Sequence, residues 1–415
     1  MIYVFIHQNF PGQYKNIVRY LAKQPNNTIY FITQNIENSE EGVTKLVYQA
    51  HIPSPLNCHE YSTDFDIAVR TGLAVAQVCQ SLQQQNVVPD LIAGHCGWGE
   101  TLFVKDVFPD TPILSYFEFF YHFSYVDVNF DPEFPTEPSE AFRLRARNAV
   151  NLLGFDAADW GNTPTEWQRS LYPPEMRTRI TTIHEGVDTN VVRPNPHARV
   201  ELLAGELLLT PTDEVITYVA RNLEPYRGFH IFMRAAKEIL RRRPNAHIVV
   251  IGGDEVSYGP PPRPGETFRG LMLDELGPEL AVDRLHFLGQ VPYDVYLSVL
   301  QISSVHLYLT YPFVLSWSFV EALACGCAIV GSDTPPVLEV LKDNENGLVC
   351  DFFSPAAFAD RVDEILDHPQ KMQRIRDAAR QTAVSKFDFE TVMRPRWLSL
   401  MDDLMNGRRP KSAAA

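Results

Sequence analysis

Short runs rich in β-branched and aromatic residues alternate along this chain with longer amphipathic segments, and the alternation starts over once. The first series reads IYVFIH at 2–7, a helical pattern from Tyr14 to Ala22, IYFIT at 29–33, LIAGH at 91–95, PILSYF at 112–117 and ITTIHEGV at 180–187. The second reads EVITYVAR at 214–221, a helix from Phe229 to Arg242, AHIVVIGG at 246–253, LHFLGQV at 285–291, VHLYLT at 305–310, CAIVGSD at 327–333 and NGLVCD at 346–351. Apolar runs this short and this continuous are strands covered on both faces, and the amphipathic segments between them are the crossovers that parallel strands require. The chain is therefore expected to be α/β, with two doubly wound parallel sheets.

Length points the same way, because 415 residues exceed what a single hydrophobic core usually fills. Residues 184–196, HEGVDTNVVRPNP, are rich in Gly, Asp, Asn and Pro and lack helical periodicity, so the boundary is placed there. Residues 1–188 form the first domain and 189–393 the second. Two proline-rich inserts, 126–139 and 257–267, read either as loops that cover a cleft or as plain excursions. The tail RRPKSAAA is expected to be disordered.

Charge excludes one class of partner. With 36 basic against 51 acidic residues the net charge is -15, the wrong sign for a general nucleic-acid binder. The N-terminus MIYVFIHQNFPGQ lacks a basic segment before its short apolar run and reads as a first strand, not a signal peptide. No window reaches the roughly 18 apolar residues of a transmembrane segment. Six cysteines, with Cys325 and Cys327 a residue apart, fit neither a disulfide framework nor a zinc spacing, so a reduced, cytoplasmic setting without a bound metal is expected.

Open α/β sheets bind ligands at the carboxyl ends of their strands. In the first half, IYVFIH runs into Gln8-Asn9-Phe10-Pro11-Gly12-Gln13, where Gly12 at a helix start would let backbone N–H groups approach an anion, although an ordinary turn has the same composition. His95 ends LIAGH among small residues, as either a cleft-facing or a core histidine. Glu118 interrupts the aromatic stripe SYFEFFYH, with Tyr121 and His122 after it; the stripe reads as core or as an acceptor-lining surface.

In the second half, Arg221 closes a strand and Arg227 precedes Gly228 and a long helix. Two guanidiniums converging at a helix N-terminus would suit a diphosphate. The stretch YPFVLSWSFVEALACGCAIVGSD, residues 311–333, resolves into a loop, a helix from Trp317 to Cys325 with Ser316 and Ser318 in its first turn and Gly326 as its stop, and a strand. Glu321 then lies one turn into a buried helix, where a carboxylate must find hydrogen-bond donors or protonate. A ribose diol would supply them; the alternative is that it caps its own helix.

These residues resemble the retaining glycosyltransferases of the GT-B fold, specifically family 4. The second half carries the likeness through VARNLEPYRGF, VVIGGD, LHFLGQVPYDVYLSVLQISSVHLYLT and FVEALACGCAIVGSDTPPVLEVLKDNENGLVCDFFSP; the first carries it more loosely, through Gly12, His95 and HEGVDT. The resemblance implies two Rossmann-like domains facing across a cleft, with a C-terminal helix, 394–410, returning to the first and closure about residues 184–190. It implies that Arg221 and Arg227 hold the donor diphosphate, with Arg227 where Lys is usual. Glu321 would bind the ribose as the second Glu of an E-x7-E signature; Leu315, Ser316 and Trp317 would meet the sugar and distal phosphate, and Val291 would flank the base. His95 would contact the transferred sugar, and Asn9, Gln13, Glu118 and Tyr121 would face the acceptor. One position departs from the pattern: Phe313 stands eight residues before Glu321, where the family has Glu, and no acidic residue lies between Asp294 and Glu321.

The implied activity is metal-independent, retaining transfer of a hexose from a nucleoside diphosphate sugar, UDP-hexose first and GDP-mannose second, to a hydroxyl of a sugar, lipid-linked, protein or small-metabolite acceptor. The alternatives are a sugar-nucleotide-binding homologue made inert by Phe313, or an enzyme of this fold making a non-glycosidic product.

Overall fold

A computed structural model describes residues 1–124 and 126–410. The chain divides into two compact units, 1–186 with 389–415, and 187–388. The return falls a few residues earlier than position 394, so the single π-helical turn Phe389–Met393 joins the first unit ahead of the helix Arg394–Met405.

Seven strands build the first unit: β1 (Ile2–Ile6), β2 (Thr28–Thr33), β3 (Val43–Val47), β4 (Leu91–His95), β5 (Ile113–Tyr116), β6 (Trp160–Thr163) and β7 (Ile180–Thr182). Every pairing is parallel, in the order β3-β2-β1-β4-β5-β6-β7. Chain order reverses between β1 and β4, which opens a crevice beyond their carboxyl ends. The core forms where Val4, Ile6 and Ile92 of β1 and β4 meet Val75, Cys79 and Leu82 of the helix Thr63–Gln84. The helix Arg394–Met405 is locked to the same unit by Trp397, whose indole N–H donates to the His184 carbonyl at 3.1 Å, and by Arg396, which donates to the Thr182 carbonyl at 2.7 Å.

The second unit opens with an antiparallel hairpin, β8 (Val200–Leu202) and β9 (Leu207–Leu209), followed by β10 (Val215–Asn222), β11 (His247–Gly253), β12 (Leu285–Gly289), β13 (Val305–Tyr308), β14 (Ile329–Ser332) and β15 (Leu348–Cys350). The last six form a parallel sheet in the order β12-β11-β10-β13-β14-β15, with its own reversal between β10 and β13. The hairpin packs its leucines against Val215, Val249 and Val299.

The insert 126–139 contains no helix or strand. In the insert 257–267, the first residues are pinned by a buried carboxylate described below. Of the tail expected to be disordered, Arg408 is paired with Asp402 at 2.5 Å and Asp403 at 2.8 Å, and Pro410 is buried; Lys411 onward lies outside the described residues. Among the described residues no helix is long and apolar enough to cross a membrane.

Candidate functional site

Each sheet carries its chemistry-bearing side chains at its reversal point. In the first unit, β1 ends into His7 and β4 ends with His95, and the two imidazoles meet edge to face at 5.0 Å, both buried. His95 Nδ1 accepts the Gly97 N–H at 3.2 Å, so its proton sits on Nε2, 3.6 Å from a carboxylate oxygen of Glu118. Burial pulls the His95 pKa down, but the hydrogen bond and charge of Glu118, with Glu100 and Glu185 farther off, leave it raised. Burial pushes Glu118 up, and His95 reverses that, so its carboxylate is held below the usual range. Glu118 therefore orients the Nε2–H of His95 and stabilises positive charge on the ring.

Gln13 and Gly12 complete this arrangement. Gln13 donates to the other Glu118 oxygen at 3.1 Å. Gly12 has φ +54°, and a Cβ there would stand 2.9 Å from the His7 ring, so only glycine lets the loop fold under that imidazole. Asn9 is exposed and its backbone N–H donates to His7 Nδ1 at 2.8 Å. Burial drives the His7 pKa down to about 3, aided by the neighbouring His95 charge. Tyr121 does not join the group: it stacks under Arg147, 4.0 Å from the guanidinium carbon, and its N–H donates to Asn148. Behind the histidines lies Glu100, with no exposed surface, accepting the Gln8 N–H at 3.1 Å and the Tyr48 hydroxyl at 3.3 Å.

In the second unit the expected arginine pair is not symmetric. Arg221 is exposed on β10 and enters no side-chain hydrogen bond or ion pair among the described residues, whereas Arg227, in the short turn Pro225–Arg227, is buried. The Arg227 guanidinium donates to Thr310 Oγ1 at 2.9 Å and the Val314 carbonyl at 2.8 Å, which fixes the loop after β13. Its face is covered by Tyr258 at 5.1 Å and Phe313 at 5.9 Å. Of the two guanidiniums expected at the helix start, Arg221 is thus exposed and Arg227 shapes the loop beneath aromatic rings. Gly228 follows in the left-handed region, φ +66°, where a Cβ would lie 2.4 Å from Leu309.

Tyr258 belongs to the second proline-rich insert, and Glu224 is what holds it there. This buried carboxylate accepts the backbone N–H groups of Ser257, Tyr258 and Gly259 at 3.0, 3.1 and 3.1 Å. Phe313 is buried in the same ring cluster, 4.9 Å from Tyr258 and 5.5 Å from Tyr226. Where the resemblance leads to a carboxylate, this chain has an aromatic wall.

The helix Trp317–Ala324 starts beside that wall. Ser316 caps it, its Oγ accepting the Ser318 N–H at 3.3 Å, and the Ser316 N–H donates to the Tyr308 hydroxyl at 2.9 Å. Leu315 is buried and Trp317 exposed. Glu321 does not cap its own helix: its two oxygens accept the Tyr293 hydroxyl at 2.7 Å and the Tyr296 hydroxyl at 2.5 Å. Burial and then the Glu321 charge push both tyrosines upward, so both remain protonated donors. Val291, just before the helix that carries them, is half-buried against the hairpin core. The sequence reading missed His7, Glu100, Glu224, Tyr258, Tyr293 and Tyr296. His7 ends a strand and Tyr293 and Tyr296 share a helix face, so those three had a visible signal; Glu224 and Tyr258 had none.

Comparison with known proteins adds the following. A family model described as "Glycosyl transferase family 4 group" matches residues 25–192, and one described as "Glycosyl transferases group 1" matches residues 205–382. The D-inositol 3-phosphate glycosyltransferase of Acidothermus cellulolyticus is 28% identical over 52% of this chain and 47% of its own length. Spore coat protein SA of Bacillus subtilis is 26% identical over 53% of this chain and 58% of its own. The chain thus spans about half the length of the curated relatives it matches. Among solved structures, sucrose-phosphate synthase from Thermosynechococcus elongatus superposes with a TM-score of 0.72 at 16% identity, over 98% of this chain and 100% of that one. Anabaena Alr3699/HepE in complex with UDP-glucose gives 0.69 at 15% identity, over 97% and 100%. At such identities the likeness is one of fold, and that fold is GT-B.

Proposed function

The chain belongs to family 4 of the GT-B glycosyltransferases, and from that premise we propose that it transfers a hexose, with retention at the anomeric carbon, from a UDP-sugar to a hydroxyl acceptor. The observation that carries the donor half is Glu321, a carboxylate at a sheet reversal point whose two oxygens each receive one hydroxyl. That geometry accepts the vicinal diol of a ribose in place of, or beside, the tyrosyl donors. The N-terminus of the helix Trp317–Ala324, capped by Ser316, and the Arg221 side chain supply positive potential for the diphosphate, while Arg227 holds the loop that presents that N-terminus. On the acceptor side, the protonated Nε2 of His95, oriented by Glu118, is a hydrogen-bond donor for a sugar hydroxyl.

In this reading the bond from the anomeric carbon to the diphosphate oxygen breaks as the acceptor oxygen attacks the same face, and the acceptor proton passes to the departing diphosphate. The protein positions the reactants and stabilises the leaving charge. No metal is required, so activity should persist in chelator, and product anomers read by NMR should retain the donor's configuration. Six unpaired cysteines, five of them buried, support a cytoplasmic setting.

The donor assignment is tested by calorimetry on Glu321→Gln. Loss of a hydrogen bond to a charged group costs about 1.5–3 kcal/mol, so UDP affinity should fall by that amount while inorganic pyrophosphate, which has no ribose, is unaffected. Equal losses for the two ligands would make Glu321 structural. A second reading is favoured by Phe313 and Tyr258 covering Arg227: a nucleotide-binding homologue without transfer. Tight UDP-sugar binding with neither transfer to a broad acceptor panel nor slow donor hydrolysis would select it.

A further inference from the structure

The first unit carries a basic cavity remote from the reversal point. It has a volume of about 470 Å³ and is lined by Arg169, Pro174, Arg177, Thr178 and Arg409. Arg177 and Thr178 lie just before β7, separated from it by Arg179, so the cavity sits at that strand's amino end. Because β4 to β7 run parallel, this is the edge of the sheet opposite His95 and Glu118.

The three guanidiniums are not equivalent. Arg169 is committed: Nε donates to the Ile180 carbonyl at 3.0 Å, one terminal nitrogen to the Arg177 carbonyl at 2.9 Å, and the other to Glu166 at 3.2 Å. It therefore fixes the backbone from which the Arg177 side chain projects. The Thr178 hydroxyl donates to the Glu175 carbonyl at 2.7 Å and forms the rim. Arg177 and Arg409 enter no side-chain hydrogen bond or ion pair among the described residues, although Arg408, next to Arg409, is matched by two aspartates. On a chain of net charge -15, two uncompensated guanidiniums facing one cavity form a local positive site that accepts oxyanions, since each fork can take two oxygens.

We propose that this cavity is a binding site for a soluble phosphomonoester, held by Arg177 and Arg409 on a frame set by Arg169. The depression is widely open to solvent, and its size suits a small anion taken up from solution. The site is independent of the donor assignment.

The test is calorimetry of the full chain with phenyl phosphate and with inorganic phosphate, each repeated with UDP present at saturation. Both probes should bind with UDP bound, and the double variant Arg177→Ala, Arg409→Ala should lose at least tenfold in affinity for them while UDP affinity stays unchanged. Both side chains reach solvent, and circular dichroism of the variant guards against misfolding. Arg409→Glu provides a second variant, expected to abolish binding. Absence of phosphate binding at millimolar concentration, competition with UDP, or binding that survives both variants would overturn the proposal. So would binding of phosphatidic acid vesicles without binding of the soluble ester, which would assign the surface to a membrane.

Discussion

Glu100 has no exposed surface, and its position predicts a pH dependence of stability that the charge composition would not suggest. Burial lifts its pKa to about 7, against the opposing effects of the His95 charge, the Gln8 N–H and the Tyr48 hydroxyl. A carboxyl raised in the folded state holds its proton more tightly there than in the unfolded chain. The stability this gives is complete below the ordinary carboxyl range, near pH 4.5, and is lost as pH rises through 7. Glu100→Gln keeps an acceptor for Gln8 and Tyr48 and cannot ionise, so it should be more stable than the natural chain at pH 8, by about 3 kcal/mol or less, and no more stable at pH 4.5. Thermal unfolding of both proteins at the two pH values reads this, and an equal difference at both would mean that Glu100 stays ionised throughout. Sequence alone did not mark Glu100, because the loop after LIAGH gives no sign that its acid is enclosed. His95 was legible because it ends a strand; its partner Glu118 was legible as a polar break in an aromatic stripe. Of the arginine pair, the turn Pro225–Arg227 buries one member and β10 leaves the other in water, a difference that their spacing in the sequence does not reveal. Glu321 was placed on the correct helix, while its tyrosyl partners, 25 and 28 residues earlier in the chain, are brought to it only by packing.

At the scale of elements, long apolar strands buried on both faces announced themselves, while half-exposed strands and the short, buried but polar β6 did not. β3, VTKLV, is half-exposed along its length, β6 is the four-residue WGNT, and the hairpin β8–β9 hides in a leucine-rich stretch without alternation. In β6 the glycine is steric: a Cβ at Gly161 would lie 2.5 Å from the Phe117 ring, so the residue that weakens the strand signal is the one the packing requires. The helix read from Tyr14 to Ala22 begins as a 3-10 turn, Gly12–Tyr14, ahead of the α-helix Lys15–Ala22, because the loop must first pass under His7. Gly12→Ala places a methyl group in the left-handed region and against that ring. It should cost about 1–3 kcal/mol of stability and, by displacing the His7 ring from its buried place beside His95, raise the His7 pKa from about 3 toward its ordinary value. Unfolding by urea measures the first and imidazole titration by NMR the second. An unchanged His7 titration would separate the loop from the histidine pair.

For the whole molecule, the division into units does not follow chain order, since residues 389–415 complete a unit begun at Met1. Trp397 is the hinge of that argument. It is 1% exposed, its ring lies 6.3 Å from that of Tyr14, and its indole N–H satisfies the His184 carbonyl at the end of the first unit's last strand. Every one of those contacts is to residues before 187, so the stabilisation it gives belongs to the first unit although the side chain is encoded after the second. Trp397→Ala removes the ring and leaves a buried carbonyl without its donor, a loss of about 3–5 kcal/mol. Hydrogen exchange should then accelerate through the strands β1, β4 and β7 while β10, β11 and β13 keep their protection. Uniform acceleration across both sheets would show instead that the two units unfold as one cooperative body. Because the proposed donor groups lie wholly within residues 187–388, UDP binding should survive the substitution at temperatures where the first unit has begun to open.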